Sequence, residues 1–167
     1  MPAENNLCFI KDRIGEIRSA ILYSMSNELI KIPLSIITVL RVDEDGHVWF
    51  FVKKPAQMMF DHEKSFPARL QFYRKGKPFY IHVTGYAGVS DNKETINGFT
   101  GLEKETEDIA MQDLMLIKLK MTKAEYYEQK SPSPEHFSIQ SIFQNLYSSL
   151  FKPAGHYRLF ELNTRIA

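Results

Sequence analysis

Leu7, Ile10, Ile14, Ile17 and Ile21 return at alternating three- and four-residue steps, with Lys11, Asp12, Arg13 and Glu16 between them. That period gathers hydrocarbon on one stripe of a helix and leaves the charges outward. The segment therefore predicts an amphipathic N-terminal helix. A strand is expected to take over across residues 20–25, followed by a turn at Ser26-Asn27-Glu28.

From Ile30 the pattern becomes that of strands. Ile36, Ile37, Val39, Leu40 and Val42 precede Asp43-Glu44-Asp45-Gly46, and His47-Val48-Trp49-Phe50-Phe51-Val52 follows. Asp-Gly between two such runs is a hairpin signal, because glycine takes a positive φ at no steric cost. Both runs are apolar on both faces, as expected of strands buried on two sides. The 34–42 strand is accordingly expected to be covered by a second subunit in a two-fold dimer.

After Pro55, residues 56–64 read as a short helix. Residues 66–73 and 79–89 read as a second hairpin through Arg74-Lys75-Gly76-Lys77-Pro78. In its return strand Phe79, Ile81, Val83 and Ala87 alternate with Tyr80, His82, Thr84 and Tyr86. Gly85 falls on the apolar side, where it permits a bend or a close approach. Residues 91–101 read as a loop or short helix and 110–121 as a strand, and Thr122 is placed as the cap of a helix through Tyr127. Ser131-Pro132-Ser133-Pro134 is a short linker. Ile139, Ile142, Phe143, Leu146, Leu150 and Phe151 then form a helical stripe, and a strand is expected over 157–162.

Strands flanked by helices at both ends make the expected class α+β, mainly β: a barrel rather than a doubly wound sheet. The expected organisation is a barrel domain over 1–130, with a C-terminal helix and strand over 131–167 packed on the same domain.

Composition narrows the functional classes. Twenty-one Lys and Arg nearly cancel twenty Asp and Glu, leaving a net charge of +1. No global field then recruits nucleic acid or an anionic membrane. Arg69, Arg74, Lys75 and Lys77 do lie beside Phe72, Tyr73, Phe79 and Tyr80, a mixture that can grip single strands. A charged hairpin tip beside core aromatics is the commoner origin of that pattern. Cys8 is the only cysteine, so neither an intrachain disulfide nor a Cys-rich metal site can form, and it reads as a small hydrophobe on the first helix. The N-terminus has no signal-peptide pattern, and no run reaches the roughly 18 apolar residues that span a bilayer. The expected compartment is the cytoplasm.

Candidate chemistry is sparse. Asp43-Glu44-Asp45-Gly46 lacks the downstream ligands of a calcium loop and reads as a turn. The five histidines show no short metal-ligand spacing. His82 on a strand among tyrosines is a candidate pocket residue, set against the more ordinary reading of a polar-face side chain. His62, between Asp61 and Glu63, is balanced between a tuned base and a solvated helix face.

Three strings, in this order, resemble one family. Asp43 to Phe51 is similar to the "DGxxWFFT" strand of the general-stress-protein branch of the pyridoxamine-phosphate-oxidase-related, FMN-binding split-barrel proteins. Tyr80 to Ala87, reading YIHVTGYA, resembles that branch's "YVSVSGTA" strand. Leu116 to Met121 with Ala124-Glu125-Tyr126-Tyr127 looks like its closing strand and "AEYW" helix. The resemblance implies a split β-barrel homodimer with FMN in clefts between the subunits. Across the dimer, Tyr127 would stand where the family's Trp approaches the flavin ring, and Tyr still offers a stacking face.

Departures from the family pattern fall on the flavin phosphate. The family's "RPM" strand reads Ile32-Pro33-Leu34 here, so Ile32 replaces the phosphate-binding Arg. The Thr after "WFF" becomes Val52, and the Ser and Lys of the "SPK" element become Ala56 and Met58. The pocket implied by the resemblance lies where Ile32-Pro33-Leu34, Phe50-Phe51-Val52 and Ala56–Met59 (Met59 included) meet. Each charge-assisted hydrogen bond to a phosphate is worth roughly 1.5–3 kcal/mol, so losing several would take a micromolar binder to about millimolar.

Two functions follow as expectations. One is an FMN-binding, oxidoreductase-like protein with a weakened phosphate site. The other is a non-catalytic dimeric module that has lost FMN and binds another small molecule at the subunit interface, or a partner.

Overall fold

β5 (Phe79–Ser90) shows how the chain makes its wall. Phe79, Ile81, Val83, Gly85 and Ala87 are buried, while Tyr80, His82, Thr84 and Tyr86 face the other way. Period-two burial of this kind fixes the register, because a one-residue slip would turn the apolar set to water.

The computed structural model describes residues 2–25, 32–55, 65–90, 93–100, 112–129 and 155–162. Ahead of β5 come α1 (Pro2–Ile17), β1 (Ser19–Ser24), β2 (Ser35–Val42), β3 (His47–Lys53) and β4 (Phe66–Phe72). After it come α2 (Lys93–Thr100), β6 (Leu114–Gln129) and β7 (Gly155–Glu161). The sheet runs β3-β2-β1-β4-β5-β6-β7, all antiparallel in its pairings, and β3 also pairs with β6. Six strands thus close a barrel, and the expected split-barrel class is what the chain adopts. The early half of β6 lies on β3, from Leu114 to Lys120, and its late half leaves β3 and pairs with β7, from Lys123 to Gln129. That parting is the split.

Gly85 makes the β5–β6 seam possible. The register shifts between Thr84 and Gly85, and a Cβ on Gly85 would stand 1.9 Å from the Lys120 carbonyl oxygen. The close approach expected from the sequence is therefore real, and it is made to backbone.

α1 closes one end of the barrel with Ile10 and Ile14, both wholly buried, and with Phe9 set edge-on to Tyr126 at 5.1 Å. The helix stops at Ile17, four residues before the last position of the periodic stripe. Arg18 takes a left-handed φ of 63° as its N–H bonds the Ile14 carbonyl, and Ile21 belongs to β1. A second expectation is also corrected. Thr122 caps no helix, because β6 continues through Tyr127 to Gln129 and buries Ala124 and Tyr126 at strand period between β5 and β7.

The Asp43–Gly46 turn joins β2 to β3 as expected, with Gly46 at φ 78°. The turn expected at 26–28, the helix at 56–64 and the linker and helix at 131–151 lie outside the described residues. No described helix is long and apolar enough to cross a membrane.

Candidate functional site

The corner expected to hold a flavin phosphate is built mostly of core. Ile32 is 5% exposed and Val52 3%, and both belong to the barrel's hydrophobic cluster together with Phe50. Pro33 is exposed, with its carbonyl accepting a bond from the Ser35 hydroxyl at 2.7 Å, and Phe51 is half-buried. Leu34 is 64% exposed and Ile36, on the outer side of β2, 83%. Lys53 is exposed, and the Lys54 N–H donates to the Asp113 carbonyl at 2.7 Å. Ala56, Met58 and Met59 lie outside the described residues.

A phosphate leaving water needs cations or aligned donors. Ile32 and Val52 offer neither, and both side chains are spent on the core. At these two positions the corner offers a phosphate nothing to bind.

Tyr127 does not join this corner within one chain. β6 sets Met115 beside Val52, and Tyr127 comes 12 residues later (127 − 115), opposite Tyr80 and Tyr157. At about 3.3 Å per residue the two ends of that path are roughly 40 Å apart along the strand.

Tyr127 instead sits in an aromatic band on the outer face. Its ring stacks on Tyr80 at 4.6 Å and 9°, and Tyr157 lies 5.1 Å beyond on β7. His82 is 5.4 Å from both Tyr80 and Tyr127. Behind them Glu125 accepts from Lys123 Nζ at 2.8 Å, from the Tyr157 hydroxyl at 3.4 Å and from the Tyr127 hydroxyl at 3.5 Å, and stands 3.8 Å from His82 Nδ1. The Lys123 bond holds the Glu125 carboxyl below its ordinary range. Burial pushes Tyr127 up, with the Glu125 charge adding to it. Burial also pushes His82 down, Glu125 opposing and Arg69 assisting. The imidazole is thus biased towards its neutral form.

His82 opens into a groove of about 460 Å³ on this outer face. Ser19, Gln71 and His82 supply its polar groups, while Ile21, Ile36, Tyr73 and Tyr80 form apolar walls. Direct pairing of Ile36 with Ile21, Ile21 with Gln71 and Gln71 with His82 puts these side chains in one row across four strands.

Sequence reading named His82 and Tyr127 but missed this constellation. Alternation in β5 was a sufficient signal for Tyr80 and His82. Glu125 is hidden by the helix expected over 122–127, which scatters positions 123, 125 and 127 that a strand aligns, and so is its meeting with Tyr157 on the expected C-terminal strand.

Two other candidates turn out to serve the fold. Asp43, Asp45 and His47 hold ligand atoms within 4.8 Å of one another. Asp43, however, already accepts from the Trp49 indole at 2.9 Å, the His47 N–H at 2.8 Å and the Asp45 N–H at 3.1 Å. Burial alone would raise this carboxyl; the Trp49 and His47 donors and the His47 ring outweigh it and hold it low. It locks the hairpin. At the β4–β5 tip, Lys77 binds Glu16 at 2.5 Å and Arg74 donates to the Glu16 carbonyl at 3.2 Å, tying that turn to α1. Cys8 is exposed rather than packed as a small hydrophobe.

Comparison with known proteins places this geometry. The family described as "Pyridoxamine 5'-phosphate oxidase like" matches residues 6–146. Among solved structures, a general stress FMN/FAD binding protein from Xanthomonas citri has a TM-score of 0.56 at 14% identity, covering 80% of this chain and 94% of that one. A protein from Clostridium acetobutylicum related to general stress protein 26 has a TM-score of 0.55 at 13% identity, covering 83% and 98%. A protein assigned to the general stress family in Xanthomonas campestris has a TM-score of 0.60 at 16% identity, covering 83% and 97%. At these identities the likeness is one of fold. No curated protein matches the chain by sequence.

Proposed function

Since the chain belongs to the Pyridoxamine 5'-phosphate oxidase like family, we propose that it is a dimeric flavin-binding protein that grips the ring system and contributes little to holding the phosphate. The observation that carries this reading is the burial of Ile32 in the barrel core, where the family pattern has a phosphate-binding cation. Val52, equally buried, supports it. Flavin as the ligand class comes from the fold relatives, one of which is described as an FMN/FAD binding protein.

Dimerisation follows from two features. Leu34 and Ile36 expose hydrocarbon on the outer side of β2, which a second copy would cover. The distance along β6 between the corner and Tyr127 means that a cleft using both draws them from different subunits. When bound, a flavin would supply the electron-transfer chemistry and the protein its orientation.

The test is a paired titration with riboflavin and FMN, followed by flavin fluorescence. The expected result is affinities within about threefold of each other, since tenfold corresponds to about 1.4 kcal/mol and a gripped phosphate makes several bonds worth more. FMN binding a hundredfold tighter than riboflavin would overturn the proposal. Binding of neither favours the rival reading, a non-catalytic dimeric module that has lost FMN, for which the same hydrocarbon corner also speaks. Light scattering tests the assembly separately: a monomer at every concentration defeats the dimer.

A further inference from the structure

Resting on the dimer reading, we propose that His82 makes the pairing of two copies acid-sensitive: neutral imidazoles let the outer faces of β2, β1, β4 and β5 come together, and protonated ones push them apart.

His82 stands at the end of a row that begins in hydrocarbon. Ile36 pairs with Ile21, Ile21 with Gln71 and Gln71 with His82, so the four side chains cross neighbouring strands on one face. At about 4.8 Å between strands the row is roughly 14 Å long. Ile36 at one end is 83% exposed, Leu34 two residues before it 64%, and Tyr73, which lines the same groove, 68%. Clustered exposed hydrocarbon marks a face that another protein covers. Stable pairs bury about 800 Å² on each partner, a patch roughly 30 Å across, so a second copy seated on Ile36 also reaches His82. A two-fold axis brings the same face of both copies together, and each pair therefore closes over two imidazoles.

The surroundings of His82 leave a proton on it uncompensated. Two charges reach the ring: Glu125 of β6, 3.8 Å from Nδ1, and Arg69 of β4, which opposes protonation. A hydrogen bond needs a closer approach than 3.8 Å, and Glu125 already accepts from Lys123 at 2.8 Å. Glu161 stands opposite Lys123 on β7, two strands away from β5. The other neighbours carry no fixed charge: Ser19 and Ile21 of β1, Gln71 of β4, Tyr80 and Thr84 of β5, and Tyr127 of β6. Burial within one chain already favours the neutral ring. A second copy removes the water left to this half-buried imidazole, and burying a charge without a partner is costly. The paired state thus holds fewer protons at His82 than the separate chains do. Pairing is at full strength while the ring of the separate chain is neutral, and it weakens as the pH falls through that ring's value, itself below 6.5.

The test is light scattering on the full chain over a dilution series at pH 7.5 and pH 5, with far-UV circular dichroism to report whether the chain stays folded. The dimer dissociation constant should rise about tenfold or more at the lower pH, because a proton is taken up on each copy as the two separate. His82→Gln, which cannot take the charge, should show little or none of that rise. His47 and His156 do not line the groove and remain in that variant, so it isolates His82. His82→Lys should pair poorly already at pH 7.5. A dimer of equal strength at both pH values overturns the proposal, as does a full acid effect in His82→Gln. If acid unfolds the unaltered protein, a His82→Lys chain that pairs at pH 7.5 as tightly as the unaltered one overturns it. A folded monomer at every concentration and both pH values defeats the dimer reading and the proposal with it, whereas a dimer indifferent to acid defeats the proposal alone.

Discussion

The corner around Ile32 and Val52 and the groove around His82 are walls of the same barrel, yet they have opposite characters. In the corner, Ile32, Phe50 and Val52 are core, while Pro33 and Leu34 are exposed. Around the groove, Tyr80 and His82 of β5 point outward beside Tyr127 and Glu125 of β6, an aromatic and titratable set. A barrel wall has two faces, and loss of polar chemistry from one says nothing about the other.

The contrast breaks hardest where both regions depend on one seam. Gly85 sits three residues beyond His82, and its missing Cβ is what lets β5 approach the Lys120 carbonyl. Gly85→Ala puts a methyl 1.9 Å from backbone oxygen, a clash that no side-chain rotation relieves. We expect a loss of about 3 kcal/mol or more in chemical denaturation, or outright failure to fold. Gly88→Ala, three residues further along, meets nothing within 4 Å and should be near neutral. If the two variants behave alike, the close approach is not there.

The corner can be sharpened by putting its missing charge back. Ile32→Arg removes core hydrocarbon, and the guanidinium must reach the surface, so stability should fall by roughly 1–3 kcal/mol. In exchange, FMN should gain on the order of tenfold over riboflavin, the worth of one charge-assisted bond. An unchanged ratio of the two affinities in a folded variant would mean that phosphate is not bound near residue 32 at all.

Much of this was legible in the sequence, and the limits have physical causes. Period-two alternation in residues 79–87 gave β5, its inward set and the special place of Gly85, because one face of that strand is wholly buried. The Asp43–Gly46 turn was equally plain, although the carboxylate's part in fastening Trp49 and His47 was not. At 122–127 the reading failed because Ala, Glu and Tyr suit either a helix or a strand, and pairing with both β5 and β7 decided it. Glu125 was lost with it. The groove could not be read at all: its members come from four strands, at positions from Ser19 to His82, and only the pairing order β2-β1-β4-β5 sets them in one row.

The smallest expected effect separates the groove from the β2–β3 turn by pH. His82 is held below its ordinary value of 6.5, chiefly by burial, so the unfolded chain takes up its proton first. Stability is then full above about 6.5, falls as the pH drops from there to the folded value, and levels off below it. Glu125 acts against this shift and Arg69 with it, and Lys123 is engaged with Glu125 throughout. Asp43 also sits below its ordinary value of 3.8, but for a carboxylate the contribution is present above that value and is lost only in stronger acid. Two separated windows result. Thermal melts at pH 7.5, 6 and 5 should show the unaltered protein losing more stability than His82→Gln, and Asp43→Asn should leave that first loss intact while weakening the protein at every pH. Parallel curves for the unaltered protein and His82→Gln would mean that the imidazole is solvated and that burial does not hold it neutral.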